Sequence, residues 1–387
     1  MKKLLALSFL LLVFFGKSSA QFVLSPEAEI SVVTCGMGDD LYALFGHTAI
    51  RIKDDSQDLD RVYNFGTFSF SNDFYQKFVL GQLRYKLSAY GYDGFESEYE
   101  YYGRSIDRQV LKLSPAQKNL LYEKLEINAL PSNAYYLYDF FYDNCSTRQR
   151  DVLSVVFDDQ IVFPDLTKSE PKTFRQLIDE YLIYAPWSDF GIDLGLGSYC
   201  DTLTSTEGYM FLPDYLYKAL EGANTPNGKL VSVSENVFTP ETERSSSTQW
   251  SDPIVVFWLF FILSLILSVY EWRKNKHFLW FDRVLFSIVG LLGLLVAFLW
   301  FATDHLATKA NWNILWAFPL NFPFAFFVFS KRLNKFQKYY QWFILSGIAI
   351  SGLAWYLIPQ DFHVAVFPIL LALATRLSVG LTRKHQA

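Results

Sequence analysis

The sequence predicts an α+β exported domain followed by an all-α bundle of about five membrane helices. Three observations carry this division. The chain opens MKKLLALSFLLLVFFGKSSA, two lysines before an apolar core and a small-residue site at Ser18-Ser19-Ala20, the pattern of a secretory signal peptide. Residues 21–252 then hold 19 Lys/Arg against 35 Asp/Glu, whereas residues from 253 onward hold 12 against 4. Finally, the last third contains runs without charge at 253–270, 284–303, 310–330 and 339–360, and one at 364–382 interrupted only by Arg376. Each is long enough to cross a hydrocarbon core about 30 Å thick.

Taken in order, residues 1–20 read as the signal peptide, with a retained first membrane helix as the alternative. Residues 21–238 form the exported domain, large enough to bury a core of its own. Its strands are expected near 45–52, 60–66, 83–90, 106–113 and 135–142, where β-branched and aromatic residues concentrate. Helices are expected near 72–80, 115–128, 145–157, 173–184 and 212–221. Ser114-Pro115 supplies an N-cap and a proline at the first helical position of the second. The stretch around Trp187-Ser188-Asp189-Phe190, with Gly191, Gly195 and Gly197, reads as a flexible aromatic loop. Residues 239–252 are polar and without periodicity, a linker. In the membrane region, 253–387, basic residues gather in alternate loops, at 273–276, at 331–338 and at 383–384. The positive-inside rule therefore makes this a multi-pass inner-membrane protein with 21–252 outside and the C-terminus in the cytoplasm. Arg376 then lies near the cytoplasmic end of its helix, within reach of the surface.

The chemistry centres on Asp143-Asn144-Cys145-Ser146-Thr147-Arg148. The three cysteines, Cys35, Cys145 and Cys200, are an odd number in an oxidising compartment, so one thiol is left over. Cys145 follows two good N-cap residues and precedes an apolar stripe, which puts it in the first turn of a helix, where a thiolate is favoured. A small buried hydrophobe is the plainer reading. If Cys145 is free, Cys35 and Cys200 either pair or are both buried. The exported domain has one histidine, His47, on a strand face with Ala49 and Arg51. A thiol and an imidazole suffice for nucleophilic catalysis when a third group orients the ring. A hairpin centred near residue 56 brings Asn64 close to or diagonal from His47, with Asp60 as second choice.

Phe45-Gly46-His47-Thr48-Ala49-Ile50-Arg51, Tyr63-Asn64-Phe65-Gly66-Thr67-Phe68 and the Cys145 motif together resemble the periplasmic domain of the Lnb family of lipoprotein N-acyltransferases. Thr303-Asp304-His305 and Asn311-Trp312-Asn313 resemble that family's outer-leaflet loop. The resemblance implies a circularly permuted papain-like fold, similar to lecithin:retinol acyltransferase-like enzymes. It also implies transfer of an acyl chain from a phospholipid donor to the α-amine of a diacylated lipoprotein through a Cys145 thioester. His47 would be the base and Asn64 its orienter, with amides at the start of the 145 helix holding the oxyanion. On the residues themselves, Arg148 and Arg150 are candidates to bind the donor phosphate, with a solvated helix face as the alternative. Asp304, His305 and Asn313 are expected to face Cys145 across a lipid-accessible cleft, with interfacial anchoring as the alternative for Asp304 and His305. No metal or other cofactor is expected.

Two other readings keep the same compartment. A Cys–His cell-wall amidase or phospholipid hydrolase fits the site but leaves five membrane helices unexplained. An inactive membrane-anchored sensor leaves His47 and Cys145 unexplained. Nucleic acid is excluded as a partner, because so acidic a domain repels phosphate backbones.

Overall fold

The turn at 53–59 closes the hairpin at the centre of the N-terminal domain. In a computed structural model, which describes residues 22–68, 72–168, 170–241, 249–329 and 334–382, β2 (His47–Asp54) and β3 (Leu59–Thr67) pair with Asp54 opposite Leu59 and Ile50 opposite Tyr63. The proposed signal peptide, half of the linker (242–248), and the basic residues Lys331, Arg332, Arg383 and Lys384 lie outside the described residues.

The sheet extends to seven antiparallel strands in the order β6-β4-β3-β2-β1-β5-β9. The others are β1 (Glu29–Cys35), β4 (Arg84–Gly91), β5 (Ile106–Leu111), β6 (Tyr135–Leu137) and β9 (Val231–Phe238), with a separate small hairpin of β7 (Asn224–Thr225) and β8 (Gly228–Lys229). β1 was not among the expected strands. It lies between β2 and β5 and is buried on both faces, so it has no alternation for a pattern to detect.

Helices cover both faces of the sheet. After α1 (Phe74–Leu80), helix α2 (Tyr92–Tyr101) packs Tyr92, Phe95 and Tyr99 on Val33, Ala49 and Val62. The opposite face carries α3 (Pro115–Ala129), α4 (Cys145–Val156) and later α8 (Pro213–Gly222), whose leucines and valines close over Ile30, Val32, Ile50 and Ile52. Between them α5 (Phe174–Leu182), α6 (Pro186–Gly195) and the single turn α7 (Thr206–Tyr209) build a second core around Phe141, Leu177 and Phe211. The expected flexible loop at 187–197 is mostly α6. Pro186 at its first turn starts the helix, and Phe190 packs against Phe257 of the membrane region, 5.0 Å between ring centres.

The membrane region begins with α9 (Pro253–Lys274) and α10 (Leu279–Phe301), the two helices among the described residues that are long and apolar enough to cross a membrane. The third expected helix, 310–330, is corrected. It is a 3-10 turn at Trp312–Leu315, an irregular stretch through Pro319, and then the short α11 (Asn321–Val328). Pro319 has no N–H for a helical ladder. The irregular backbone is accommodated by close approach to glycines. A Cβ on Gly293 would fall 1.8 Å from the Ala317 carbonyl, and one on Gly347 2.3 Å from that of Leu315. Such backbone is tolerated at membrane depth only when protein covers it. Helices α12 (Lys335–Leu353) and α13 (Val366–Thr382) complete the bundle.

Arg376 on α13 does not reach for a surface. It is 1% exposed, its Nε donates to Asp282 at 2.7 Å, and its Nη2 lies 2.9 Å from Glu271. The cation thus ties α9, α10 and α13 together. Removing one member of a buried ion group leaves the others uncompensated, at a cost of about 3–5 kcal/mol. Arg376→Ala should therefore lower the thermal unfolding midpoint in detergent. The triple replacement Arg376→Met, Glu271→Gln, Asp282→Asn should restore much of the loss.

Candidate functional site

Helix α4 starts where it does because Asn144 caps it. The Asn144 side-chain oxygen accepts from the amides of Ser146 (2.9 Å) and Thr147 (3.0 Å), and the Asn144 amide donates back to the Thr147 hydroxyl at 2.8 Å. The cap is itself anchored, since Asn144 Nδ2 donates to the carbonyls of Phe140 and Phe211. Cys145 is consequently the first helical residue, half-buried, with its thiol a free one.

His47 opens β2 on the face covered by α2, stacked at 6.2 Å on Tyr99. Helix α4 packs on the opposite face, where Gln149 donates to the Thr48 hydroxyl. The two meet past the end of the strand, where β3 is bulged between Asn64 and Thr67. The His47 imidazole acts there on the Cys145 thiol, which it lowers. His47 Nε2 lies 2.6 Å from Asn64 Oδ1, while Asn64 Nδ2 donates to the Tyr90 hydroxyl at 3.0 Å. An amide oxygen only accepts, so Nε2 carries the proton and Nδ1 is left to take the thiol proton. Asp60, the second choice for orienter, is held instead in a two-bond ion pair with Arg51, at 2.8 and 2.6 Å.

Burial alone would raise the Cys145 thiol. The His47 charge and hydrogen bond, the Thr48 amide and the Ser146 hydroxyl outweigh it and bring the thiol down to about 7. For His47, burial disfavours the imidazolium, but the Cys145 sulfur and the bonds to Cys145 and Asn64 raise it above its ordinary value. The pair is poised to exist as thiolate and imidazolium near neutral pH. The other two thiols are buried and unbridged, and burial pushes Cys200 up to about 12 and Cys35 higher still.

The remaining expected residues sit differently. Arg148 gives Nε and Nη2 to Asp143, at 2.6 and 2.7 Å, and stacks 3.7 Å over the Tyr136 ring. Its guanidinium thus braces the site and borders an open groove of about 590 Å³ that Lys124, Ile127 and Val155 also line. Arg150 pairs with Asp151. Asp304 accepts from Gln82 at 2.8 Å, and its amide donates to the Leu80 carbonyl. The His305 ring lies 2.9 Å from the Phe78 carbonyl. Asn313 is buried, bonding Trp316 and the backbone of α6. These three join the two domains and are not brought onto Cys145. Two residues not anticipated from sequence do reach it. A Cβ built on Gly66, which has φ +86°, would lie 3.6 Å from Cys145 Cβ, 3.8 Å from His47 Cε1 and 3.9 Å from the Tyr136 hydroxyl. A glycine inside a strand pattern is a signal for such a bulge.

Among the described residues one carboxylate group, Asp179, Asp189 and Asp193, brings ligand atoms within 4.8 Å of one another. It lies on α5 and α6 and is already met by Arg175, 2.5 Å from Asp193, and by His363, 3.3 Å from Asp189.

A lowered thiol makes a direct prediction. Alkylation of Cys145 should rise with pH through a midpoint near 7. In His47→Ala, burial is opposed only by the Thr48 amide and the Ser146 hydroxyl, and the midpoint should move up. Mass-spectrometric labelling across a pH series, with Cys35 and Cys200 unlabelled in the folded protein, checks both.

Residues 14–180 match the Lnb N-terminal periplasmic domain, and residues 244–386 match the Lnb transmembrane domain. No curated protein and no solved structure is a significant match. The two matched segments together span about four fifths of the chain, and they follow one another in the order that the fold shows. The chain belongs to the Lnb family, and it is a membrane protein with a periplasmic N-terminal part.

Proposed function

We propose that this protein is a membrane-bound thiol acyltransferase that N-acylates the N-terminal S-diacylglyceryl cysteine of lipoproteins, with a phospholipid as acyl donor. The observation that carries the reading is the series Cys145, His47, Asn64, in which His47 lowers the thiol and is itself bonded to Asn64, the nucleophile, base and orienter of a papain-like thiol enzyme. The family resemblance supports the acceptor and donor.

The Cys145 thiolate attacks the ester carbonyl of the donor, forming the C–S bond. As the tetrahedral species collapses, the ester C–O bond breaks and the glycerol oxygen takes the proton from His47 Nδ1. A lysophospholipid leaves and the acyl chain remains as a thioester. The lipoprotein amine then attacks the thioester carbonyl, gives its proton to His47, and the thiolate departs. Asn64 keeps the imidazole in one tautomer and plane through both steps.

A lipid substrate is also supported by an aromatic series leading from the site to the domain junction. Phe68, two residues beyond Gly66, stacks on Phe74 at 5.5 Å, Phe74 on Phe78 at 6.3 Å, and Phe78 meets the His305 ring at 6.5 Å. Beside it Tyr75 is 73% exposed and Phe78 53%, amphipathic and apolar groups suited to a membrane interface. The bundle's polarity supports the expected orientation. Ser251, Ala307 and Gln360 contact the N-terminal domain, while Arg376 meets Glu271 and Asp282 beside the turn carrying Arg273, Lys274 and Lys276. A multi-pass chain with its C-terminus in the cytoplasm follows from this reading.

Cells carrying Cys145→Ala, expressed at normal level in the membrane, should accumulate lipoproteins with a free N-terminal amine, detected by mass spectrometry of N-terminal lipopeptides. Full N-acylation in that strain would end the proposal. Release of fatty acid with no lipoprotein product by the purified wild-type protein would favour the phospholipid-hydrolase reading instead.

A further inference from the structure

An acyl transfer through Cys145 generates an oxyanion, and the amides expected to hold it are not all available. The amides of Ser146 and Thr147 already donate to Asn144 Oδ1, and that of Arg148 to the Asn144 carbonyl. At the start of α4 this leaves the Cys145 N–H, which as the first helical amide has no intrahelical acceptor. One amide makes half of the usual two-donor arrangement.

A second donor stands beside it. Tyr136 on β6 is 8% exposed, and its hydroxyl proton meets no acceptor in the protein. A buried hydroxyl left without an acceptor costs stability and asks for an explanation. Its ring is held by the Arg148 guanidinium, which the paired bonds to Asp143 fix in place. The hydroxyl, Cys145 Cβ and the His47 ring edge all lie within 4 Å of the point where a side chain on residue 66 would begin. Gly66 keeps that point empty. The space bounded by nucleophile, base and an unused O–H is where a reacting carbonyl would sit.

We infer that Tyr136 is a catalytic residue whose hydroxyl, together with the Cys145 amide, donates to the oxyanion formed when Cys145 attacks an acyl carbonyl. The inference rests on Cys145 being an acyl-accepting nucleophile. In the first step the thiolate forms the C–S bond and the carbonyl π pair moves to oxygen, where the two donors meet it. When the C–O bond to the glycerol breaks, that pair returns and the Tyr136 proton, never transferred, is released from its bond. Arg148 acts through Tyr136 as a positioning residue, its positive charge over the ring making the O–H a stronger donor.

The test uses the full-length protein in mixed micelles of detergent and phosphatidylethanolamine, with Tyr136→Phe against wild type. Three quantities are read: the rate of thioester formation on Cys145 by quenched intact-mass analysis, the rate of Cys145 alkylation by iodoacetamide, and the melting temperature. Alkylation displaces iodide at a saturated carbon and builds no oxyanion, so it reports the thiolate alone. Tyr136→Phe should slow thioester formation by about 10²–10³-fold, with alkylation unchanged and the melting temperature little changed, since the hydroxyl proton bonds no acceptor in the protein. Thioester formation at the wild-type rate would overturn the role of Tyr136 and leave the Cys145 mechanism standing. Equal losses in acylation and alkylation would overturn it too, by showing an effect on the thiolate. Absence of a thioester on the wild-type protein would bring down both readings.

Discussion

The Asn144 cap is the constraint from which the site is built. One side-chain oxygen takes two of the four amides that a helix start leaves without partners. It thereby sets the first helical residue, and with it the position of the Cys145 sulfur, where His47 lowers the thiol. The same two bonds remove those amides from catalysis. A cap made by water would have left them free but the helix start less defined. Capping and oxyanion binding compete for one set of donors, and here capping wins, which moves part of the electrostatic work to a side chain on another strand.

The two domains are joined by backbone as much as by side chains. The Gly197 and Ser198 amides donate to the carbonyls of Ala307 and Ala310, and the Asp304 amide to that of Leu80. Asn311 and Gln360 add bonds to carbonyls at the end of α6. A Cβ on Gly197 would fall 1.8 Å from the Lys309 carbonyl, so the approach depends on its being glycine. Bonds of this kind fix relative position more closely than apolar contact, which is non-directional. Asp304, His305 and Asn313 belong to this fastening. Their bonds hold α1 and α6 against the membrane region.

Much of this was legible in the sequence. The hairpin centre followed from the polar turn at 53–59, and with it Asn64 on the face of His47, because the two-residue period of a strand leaves few alternatives. Cys145 at a helix start followed from Asp143-Asn144, although the cap is the second of them and the first grips Arg148. What was not legible depends on partners far away in sequence. β1 is a central strand with no alternation, and α6 contains three residues that in isolation suggest a loop, Gly191, Gly195 and the Pro186 that in fact starts it. Arg376 looked like an interfacial cation because Glu271 and Asp282 lie about a hundred residues earlier and only the packed bundle brings them to it. Tyr136 was one aromatic among many in 135–142. Its distinction, a hydroxyl with no acceptor beside Gly66, exists only in three dimensions.

The proposed reaction also accounts for why a thiol site should be fastened to a membrane bundle at all. Lifting an acyl chain into water costs about 0.8 kcal/mol per CH₂, so a chain of about 16 carbons brought to a distant site faces more than 10 kcal/mol before any bond is made. A site tethered by a flexible linker would meet that barrier at every turnover. Here α1 is bonded to the loop that follows α10, with Tyr75 and Phe78 exposed, and aromatic rings continue from Phe78 through Phe74 to Phe68, beside the bulge that carries Gly66. An acyl chain following that surface exchanges lipid contacts for ring contacts step by step and never faces bulk water over its full length. The interdomain hydrogen bonds are then part of the catalytic design, because the path exists only while α1 is held against Asp304 and His305.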